Sequence, residues 1–394
     1  MDFKERKIKD KIIKAFIHNA MRLLTFVVKR NSNIWMFGAW RGELYSGNSK
    51  YFFEFVTNNY STIKAIWITN SKKDYEELKK SNKNVVLKNS IKAIFYSLRA
   101  KVFVVNISSD DIFNFVKHGV LFINLWHGVP IKSLLGDKRD DINFSKWRKI
   151  ERRLVSFLTK DKIKGDENSL IVATSESAKI NLEKSFNSKN VVVTGQPRDD
   201  IFYSDFSKEQ ILSKLKLEIE PQKKIVSYFP TFRDEISEYK SPFLENKIEM
   251  ENFMKNNPDI IFLEKSHLNE SISAGKIKNR INGYKNISNL KIDTQELLLI
   301  TDILVTDYSS VYIDFLHLDR PTIFYAYDYE SYYNTRGFLY DYEEIVSSKI
   351  VSAFDELLEA VQIYLGDSQK DKEKRERVHS LFHKYKDGNN SKRV

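Results

Sequence analysis

The sequence predicts an α/β fold: two doubly wound parallel sheets, as two facing Rossmann-like halves with a ligand cleft between them. Three observations predict it. Short apolar runs rich in Val and Ile alternate with helical segments from Ile34 onward, the mark of repeated βα units. The alternation lapses over the polar stretch Asp205–Lys223 and restarts at Lys224, so a boundary falls between 31–210 and 211–394. Motifs rich in hydroxyl and charged residues directly follow the apolar runs. That puts them at the carboxyl ends of strands, where such folds hold ligands.

The first thirty residues place Ile12, Ile13, Phe16, Ile17, Ala20, Leu23, Leu24 and Val27 at helical spacing, flanked by Lys7, Lys9, Lys11, Lys14, Arg22, Lys29 and Arg30. A basic amphipathic helix over 1–30 fits an anionic membrane surface; a helix packed on the domain has the same pattern. Strands follow at Ile34–Phe37, Ile63–Thr69, Val85–Leu87, Val102–Val105, Leu121–Leu125, Ser169–Thr174 and Asn190–Thr194. Helices are expected over Asn48–Thr57, Asp74–Lys80 and Ile91–Leu98, and a charged helical excursion over Lys138–Asp166. The second half repeats the scheme, with strands at Lys224–Tyr228, Ile260–Leu263, Asp302–Val305 and Pro321–Tyr325. Helices are expected over Pro242–Lys255 and Ala353–Lys386.

Composition bounds the function. Of 394 residues 42% are apolar, enough for full cores. Lys and Arg number 64 against 53 acidic residues, a net charge of +11 that suits an anionic partner. There is no cysteine, which excludes disulfides and thiolate chemistry. No apolar run reaches the roughly 18–20 residues of a membrane span, and no signal-peptide cleavage site is evident. Nucleic-acid motifs are absent, so the charge alone does not argue for DNA or RNA. No Walker, HExxH or Cys/His metal pattern occurs; Asp199-Asp200 is the one weak metal candidate. No cofactor is implied.

The stretch DILVTDYSSVYIDF, Asp302–Phe315, carries the strongest local signal. A buried strand ends in Thr306, Asp307, Tyr308, Ser309 and Ser310, then a helix begins. Ser309 or Ser310 is a natural N-cap, and free N–H groups at a helix start favour a phosphate. His127 follows the strand ending at Leu125, within Trp126-His127-Gly128, and His267 follows Ile260–Leu263 in the same way. An imidazole there suits a general base. Three loops after strands each bring an Arg: Arg198 in GQPRDD, Arg233 in YFPTFRD beside Thr231, and Arg336 in RGFLYDY. Arg forks onto phosphate oxygens, so several together suit a diphosphate. Each also has a plain reading as an Arg–Asp pair. His18, His118, His317, His379 and His383 show no partner in the sequence.

Taken in order, WHGVPIK, GQPRDD, YFPTFRD, the strand with DYSS, and RPTIFYAYDYESYYNTRGFLYDY resemble the CDP-glycerol glycerophosphotransferases of teichoic acid and capsule synthesis. The resemblance covers about residues 120–345, more weakly from Ile34, where GNSKYFFEFV is similar to the family's first helix. Val129 and Gln196 depart from common family residues without touching a catalytic role. The resemblance implies a GT-B arrangement, with 31–210 on the acceptor side and 211–394 binding a CDP-polyol. It implies transfer of glycerol phosphate from CDP-glycerol to a hydroxyl of a lipid-linked saccharide or polyol-phosphate polymer, with release of CMP. It also implies peripheral attachment to the cytoplasmic face of the cell membrane. By motif position His127 and His267 match the essential histidines, and Ser309 and Ser310 the diphosphate contacts. Asp307, Arg198, Arg233 and Gly128 lie nearby, and Arg336 and Thr231 are further candidates. The bottom-up chemistry assigns the base to His127 and leaves the reverse open. A CDP-ribitol transferase, a GT-B nucleotide-sugar glycosyltransferase and a non-catalytic binder are the alternatives. The lack of a long N-terminal extension leans towards a primase or a capsule-type transferase.

Overall fold

Among the described residues, thirteen strands form two all-parallel sheets. The computed structural model describes residues 21, 23–113, 118–132, 169–231, 240–266 and 281–394, with only the backbone of 335 and 336. The N-terminal helix expected over 1–30 and the excursion over 138–166 therefore lie largely outside the described residues.

The first sheet holds β1 (Asn31–Phe37), β2 (Lys64–Thr69), β3 (Val85–Leu87), β4 (Ala100–Val105), β5 (Leu121–Asn124), β6 (Ser169–Ala173) and β7 (Val191–Val193), in the order 3-2-1-4-5-6-7. Successive strand residues face opposite ways. Phe37, Trp67, Val104 and Ile123 therefore enter one core with Phe53 and Val56, while Met36, Ile66, Ile68, Phe103 and Phe122 enter another. Burial on both faces is why these strands read as continuous apolar runs. Serine hydroxyls start the connecting helices by taking orphan N–H groups, Ser71 from Asp74, Ser90 from Ala93 and Ser175 from Ala178. Helix Ile91–Arg99 begins where expected, helix Lys72–Lys80 begins two residues early, and helix Glu176–Phe186 adds to the sequence reading.

The second sheet holds β8 (Lys224–Phe229), β9 (Ile260–Glu264), β10 (Tyr284–Asn286), β11 (Ile303–Thr306), β12 (Thr322–Tyr325) and β13 (Ile350–Val351), in the order 10-9-8-11-12-13. Renumbered from its own first strand, that is 3-2-1-4-5-6. Both sheets thus share the doubly wound order, whose switch point lies between the first and fourth strands. For the first sheet this is between the ends of β1 and β4, and for the second between the ends of β8 and β11. The core under the second sheet joins Val226, Tyr228, Phe243, Phe262, Ile303, Val305 and Leu357.

Several elements add to or differ from the sequence reading. The edge strands β10 and β13 have three and two residues and are too short to register as apolar runs. Leu297–Ile300 lies in a helix, Thr294–Ile300, capped by Asp293. The tail is two helices, Phe354–Gly366 and Lys372–Phe382, broken where Asp371 takes φ 61°. The tyrosine-rich segment before Gly337 is a helix, Tyr329–Arg336.

The chain divides into two units between Arg198 and Asp199, ahead of the polar stretch that marks the boundary in the sequence. The reason is that helix Lys208–Leu215 belongs with the second sheet: Ile211 and Leu212 are buried, and Lys208 Nζ donates to Asp302 Oδ2 at 3.0 Å. Gly128–Ser133 also belongs to the second unit, and Asn389–Val394 returns to the first. There Asn390 Nδ2 donates to the Gln196 carbonyl at 3.2 Å.

Candidate active site

In the first unit the candidate residues gather at the turn after β5. The Leu125 N–H still donates to the Val105 carbonyl, at 2.9 Å. Trp126 then takes φ 56°, a left-handed value that is costly for a bulky residue. Gly128 follows at φ 149°, where a side chain is strained. The turn is held from two sides: the Trp126 N–H donates to Asn124 Oδ1 at 3.0 Å, and Asn48 Nδ2 donates to the Trp126 carbonyl at 2.9 Å. Strain kept in place by such bonds concentrates at functional sites. It sets the half-buried His127 ring beside Trp126 and Trp40, with centroids 4.2 and 5.7 Å away. Trp40 and Arg41, just past β1, are themselves left-handed at φ 50° and 57°. The Arg41 N–H donates to Asp111 Oδ1 at 2.8 Å, and burial raises the pKa of that carboxyl despite the bond.

Arg198 joins His127 here. Its Nη1 donates to the His127 carbonyl at 2.9 Å, and its own backbone N–H donates to Asn48 Oδ1 at 3.1 Å. Arg198 is 8% exposed. Part of its guanidinium thus braces the His127 backbone. Asn48 is absent from the sequence-based candidates, yet it ties both loops together. The signal available was a polar Asn48-Ser49 pair just ahead of the aromatic run Tyr51-Phe52-Phe53 in helix Gly47–Asn59.

In the second unit the candidates lie at the switch point itself. The Thr231 N–H, beyond β8, donates to Asp307 Oδ1 and Oδ2 at 2.9 and 3.1 Å, beyond β11. Asp307 Oδ1 also accepts from the Tyr308 N–H at 2.6 Å, and the Tyr342 hydroxyl donates to the Asp307 carbonyl at 2.8 Å. Burial, then the Asp307 charge, pushes the Tyr342 pKa well up, so this hydroxyl stays a donor. Asp307 is fully buried; its carboxylate braces two loops. Tyr308 stacks on Tyr332, with centroids 4.0 Å apart, and donates to Asp328 Oδ1 at 2.9 Å. Phe338 packs at a tilt against the Tyr308 ring at 5.8 Å, so the RGFLYDY motif forms the floor under DYSS. The WHGVPIK motif reaches this floor too: Lys132 pairs with Phe338, and the Leu339 N–H donates to the Ile131 carbonyl at 2.9 Å.

The expected serine cap is not formed. Ser310 occupies the N-cap of helix Val311–Phe315 with no side-chain cap bond, and the Val311 N–H lies 3.4 Å from Ser309 Oγ, too long for a firm one. Ser310 is already in helical geometry at φ −69°, ψ −1°, where its hydroxyl cannot reach back along the turn. Both serines are half-buried. His267 and Arg233 lie outside the described residues, as does the Arg336 side chain. Just before His267, Ser266 is pinned by Ser288 at 2.9 Å, and burial lowers the pKa of Lys265.

Arg30 is corrected as well. Its guanidinium donates to the carbonyls of Ser97, Ala100 and His118 at 2.6, 3.0 and 2.9 Å, so it anchors the entry to β1 rather than a lipid surface. The residues before it do expose apolar side chains: Leu23 is 68%, Phe26 60% and Val27 84% exposed. Among the described residues no helix is long and apolar enough to cross a membrane.

The family described as CDP-Glycerol:Poly(glycerophosphate) glycerophosphotransferase matches residues 20–394. The chain belongs to this family. As a glycerophosphotransferase it is 29% identical over 368 residues to the teichoic acid poly(glycerol phosphate) polymerase of Bacillus spizizenii, covering 90% of this chain and 91% of that one. It is 27% identical over 392 residues to the teichoic acid glycerol-phosphate transferase of Staphylococcus aureus, covering 98% and 97%. The structure of the Wall Teichoic Acid Polymerase TagF matches with a TM-score of 0.76 at 23% identity, over 99% of this chain and 94% of that one, which shows a shared GT-B-like fold. One structure of a histidine-to-asparagine variant of TagF was obtained with CDPG soaked in. This glycerophosphotransferase thus carries its family's ordered motifs on two Rossmann-like sheets.

Proposed function

We propose that this glycerophosphotransferase moves glycerol phosphate from CDP-glycerol to a hydroxyl of a lipid-linked saccharide or growing polyol-phosphate polymer, working at an anionic membrane surface. The observation that carries the donor half of this reading is the Asp307–Ser310 loop. It lies at the switch point of a doubly wound sheet, in a chain of this family. The hydroxyls of Ser309 and Ser310 contact the diphosphate. Asp307 and Thr231 set the loop's position and do not touch the donor, since a carboxylate facing phosphate would repel it.

His127 is the general base. It takes the proton of the acceptor hydroxyl as that oxygen attacks the phosphorus bearing glycerol. A new P–O bond forms, and the P–O bond to the bridging oxygen breaks. CMP leaves with that electron pair, so no oxidant or further reactant is needed. His267 and the arginines Arg198, Arg233 and Arg336 supply donors to the phosphoryl oxygens, whose charge must be met in the transition state. Gly128 lets the turn after His127 close. The exposed Leu23, Phe26 and Val27 are the described part of a membrane-facing segment.

Purified protein incubated with CDP-glycerol and a glycerol-phosphate-primed lipid acceptor is expected to release CMP and elongate the acceptor. CDP-ribitol and UDP-sugars, offered in parallel, are expected to be poor donors. Consumption of one of them with no CMP from CDP-glycerol overturns the donor assignment.

A further inference from the structure

Three histidines, one of them far from the other two in the sequence, converge in the second unit. His379 and His383 lie one turn apart at the end of helix Lys372–Phe382, and His317 lies in the turn Leu316–Leu318. One nitrogen from each ring can be chosen so that all three lie within 4.8 Å of one another. The ring centroids are 4.0–4.9 Å apart. His379 and His383 are 5% and 4% exposed, and the side chains of His317 and Asp199 are 0% and 1% exposed.

One ring, His383, has its second nitrogen held as metal-binding imidazoles usually are. His383 Nε2 lies 2.8 Å from the Ile313 carbonyl. A carbonyl only accepts, so that nitrogen carries the proton and Nδ1 is the one that keeps a lone pair. His317 Nε2 lies 3.7 Å from Asp199 Oδ2, an ion-pair distance rather than a hydrogen bond, and its Nδ1 is the atom that faces the other rings. His379 Nε2 faces that Nδ1 at 3.2 Å, while its own Nδ1 is buried with no hydrogen-bond partner. Bonds of about 2.0–2.1 Å in a tetrahedron set ligand nitrogens roughly 3.4 Å apart. The His317–His379 pair already stands near that edge. The three nitrogens lie within 4.8 Å of one another, so the widest pair must close by up to about 1.4 Å on binding. The Tyr203 hydroxyl is 2.9 Å from His317 Nδ1 and borders the fourth position.

The geometry points to a divalent transition-metal site, best suited to zinc, formed by His317 Nδ1, His379 Nε2 and His383 Nδ1, with Asp199 and the Ile313 carbonyl as outer partners. Three imidazoles with no thiolate suit zinc and similar ions rather than magnesium or calcium. The site is structural. It pins the far end of helix Val311–Phe315 to helix Lys372–Phe382 and to Asp199, and none of its three ligands is a residue assigned to transfer.

The test uses the full chain without an affinity tag, stripped with a chelator. Zn(II) at about a hundredfold excess over its dissociation constant is expected to raise the melting temperature by about 3 °C. Co(II) is expected to give visible absorption bands of a four- or five-coordinate ion. His379→Ala and His383→Ala are each expected to abolish the bands and to weaken Zn(II) binding by more than the roughly 10–100-fold that loss of an outer partner costs. His118→Ala, outside the cluster, is expected to keep both. No Co(II) band and no Zn(II)-dependent shift in the wild-type chain overturns the site, and this arm needs no variant to fold. Bands that persist in both cluster variants mean adventitious binding and overturn it equally.

Discussion

Asn48 and Arg198, 150 positions apart, are joined by a hydrogen bond from the Arg198 backbone N–H to Asn48 Oδ1 at 3.1 Å, while Asn48 Nδ2 holds the Trp126 carbonyl. One buried amide therefore sets two motif loops against each other. Asn48→Ala leaves the Arg198 N–H and the Trp126 carbonyl without this partner, at a cost of about 1–3 kcal/mol. With the His127 turn displaced, the rate of CMP release is expected to fall about 10²-fold. Donor affinity, read as ligand protection in a thermal melt, should change little. An Asn48→Ala enzyme with full turnover removes the positioning role.

His127→Ala is expected to slow the chemical step by about 10²–10⁴-fold, the usual worth of a positioned base. CDP-glycerol should protect this variant against unfolding nearly as well as the wild type, because a base for the acceptor hydroxyl need not hold the donor. Single-turnover kinetics with saturating donor isolates that step. Loss of donor protection together with activity would instead move the phosphate site to the WHG turn.

Ser309→Ala and Ser310→Ala should separate binding from stability. Neither serine makes a firm cap bond, so each melting curve without ligand is expected within about 0.5 kcal/mol of the wild type. CDP-glycerol should protect both variants less. A large loss of stability in the absence of donor would show that the hydroxyls serve the helix and not the phosphate.

Asp302 gives the second unit a pH-dependent tie. Burial alone would raise its carboxyl, but bonds from the Ile225 N–H and Lys208, with Lys224 nearby, outweigh burial and hold the pKa below 3.8. A depressed carboxyl contributes stability that is complete above the unfolded value of about 3.9 and is lost as the pH falls through the folded one. Asp302→Asn should therefore cost about 1–3 kcal/mol at pH 7, and the gap to the wild type should narrow below about pH 4. A gap constant from pH 7 to pH 3 contradicts this.

The combined change Leu23→Ser, Phe26→Ser and Val27→Ser alters exposed side chains and leaves the Arg30 anchor intact. It is expected to lower co-sedimentation with anionic liposomes while CMP release to a soluble acceptor continues. Unchanged sedimentation would assign membrane contact to another part of the chain.

The strand pattern was legible because both faces of each sheet are buried. That selects continuous apolar runs such as Ile303–Val305 and leaves motifs like DYSS immediately after them. Repeated βα alternation implies parallel strands and right-handed crossovers, so the fold class follows from local pattern alone. Where those strands end in space does not. The shared 3-2-1-4-5-6 order sets Thr231 beside Asp307 across 76 positions, and only the folded sheet brings their loops within hydrogen-bond range. Asp307 and Arg198 were visible as charges after strands, but their bracing bonds depend on partners at Thr231, Asn48 and His127 that no local spacing marks. Ser310 shows the reverse limit. Its residue type suggests a cap, and the backbone geometry of the turn denies it one. The histidine cluster divides the same way. The His379–His383 spacing of one helical turn lies in the sequence, whereas His317 and Asp199 join it only because packing carries two distant turns to that helix end. Periodicity and residue type decided which elements form. Tertiary packing decided which polar groups meet, because a hydrogen bond is satisfied over about 3 Å of space whatever the length of chain between its ends.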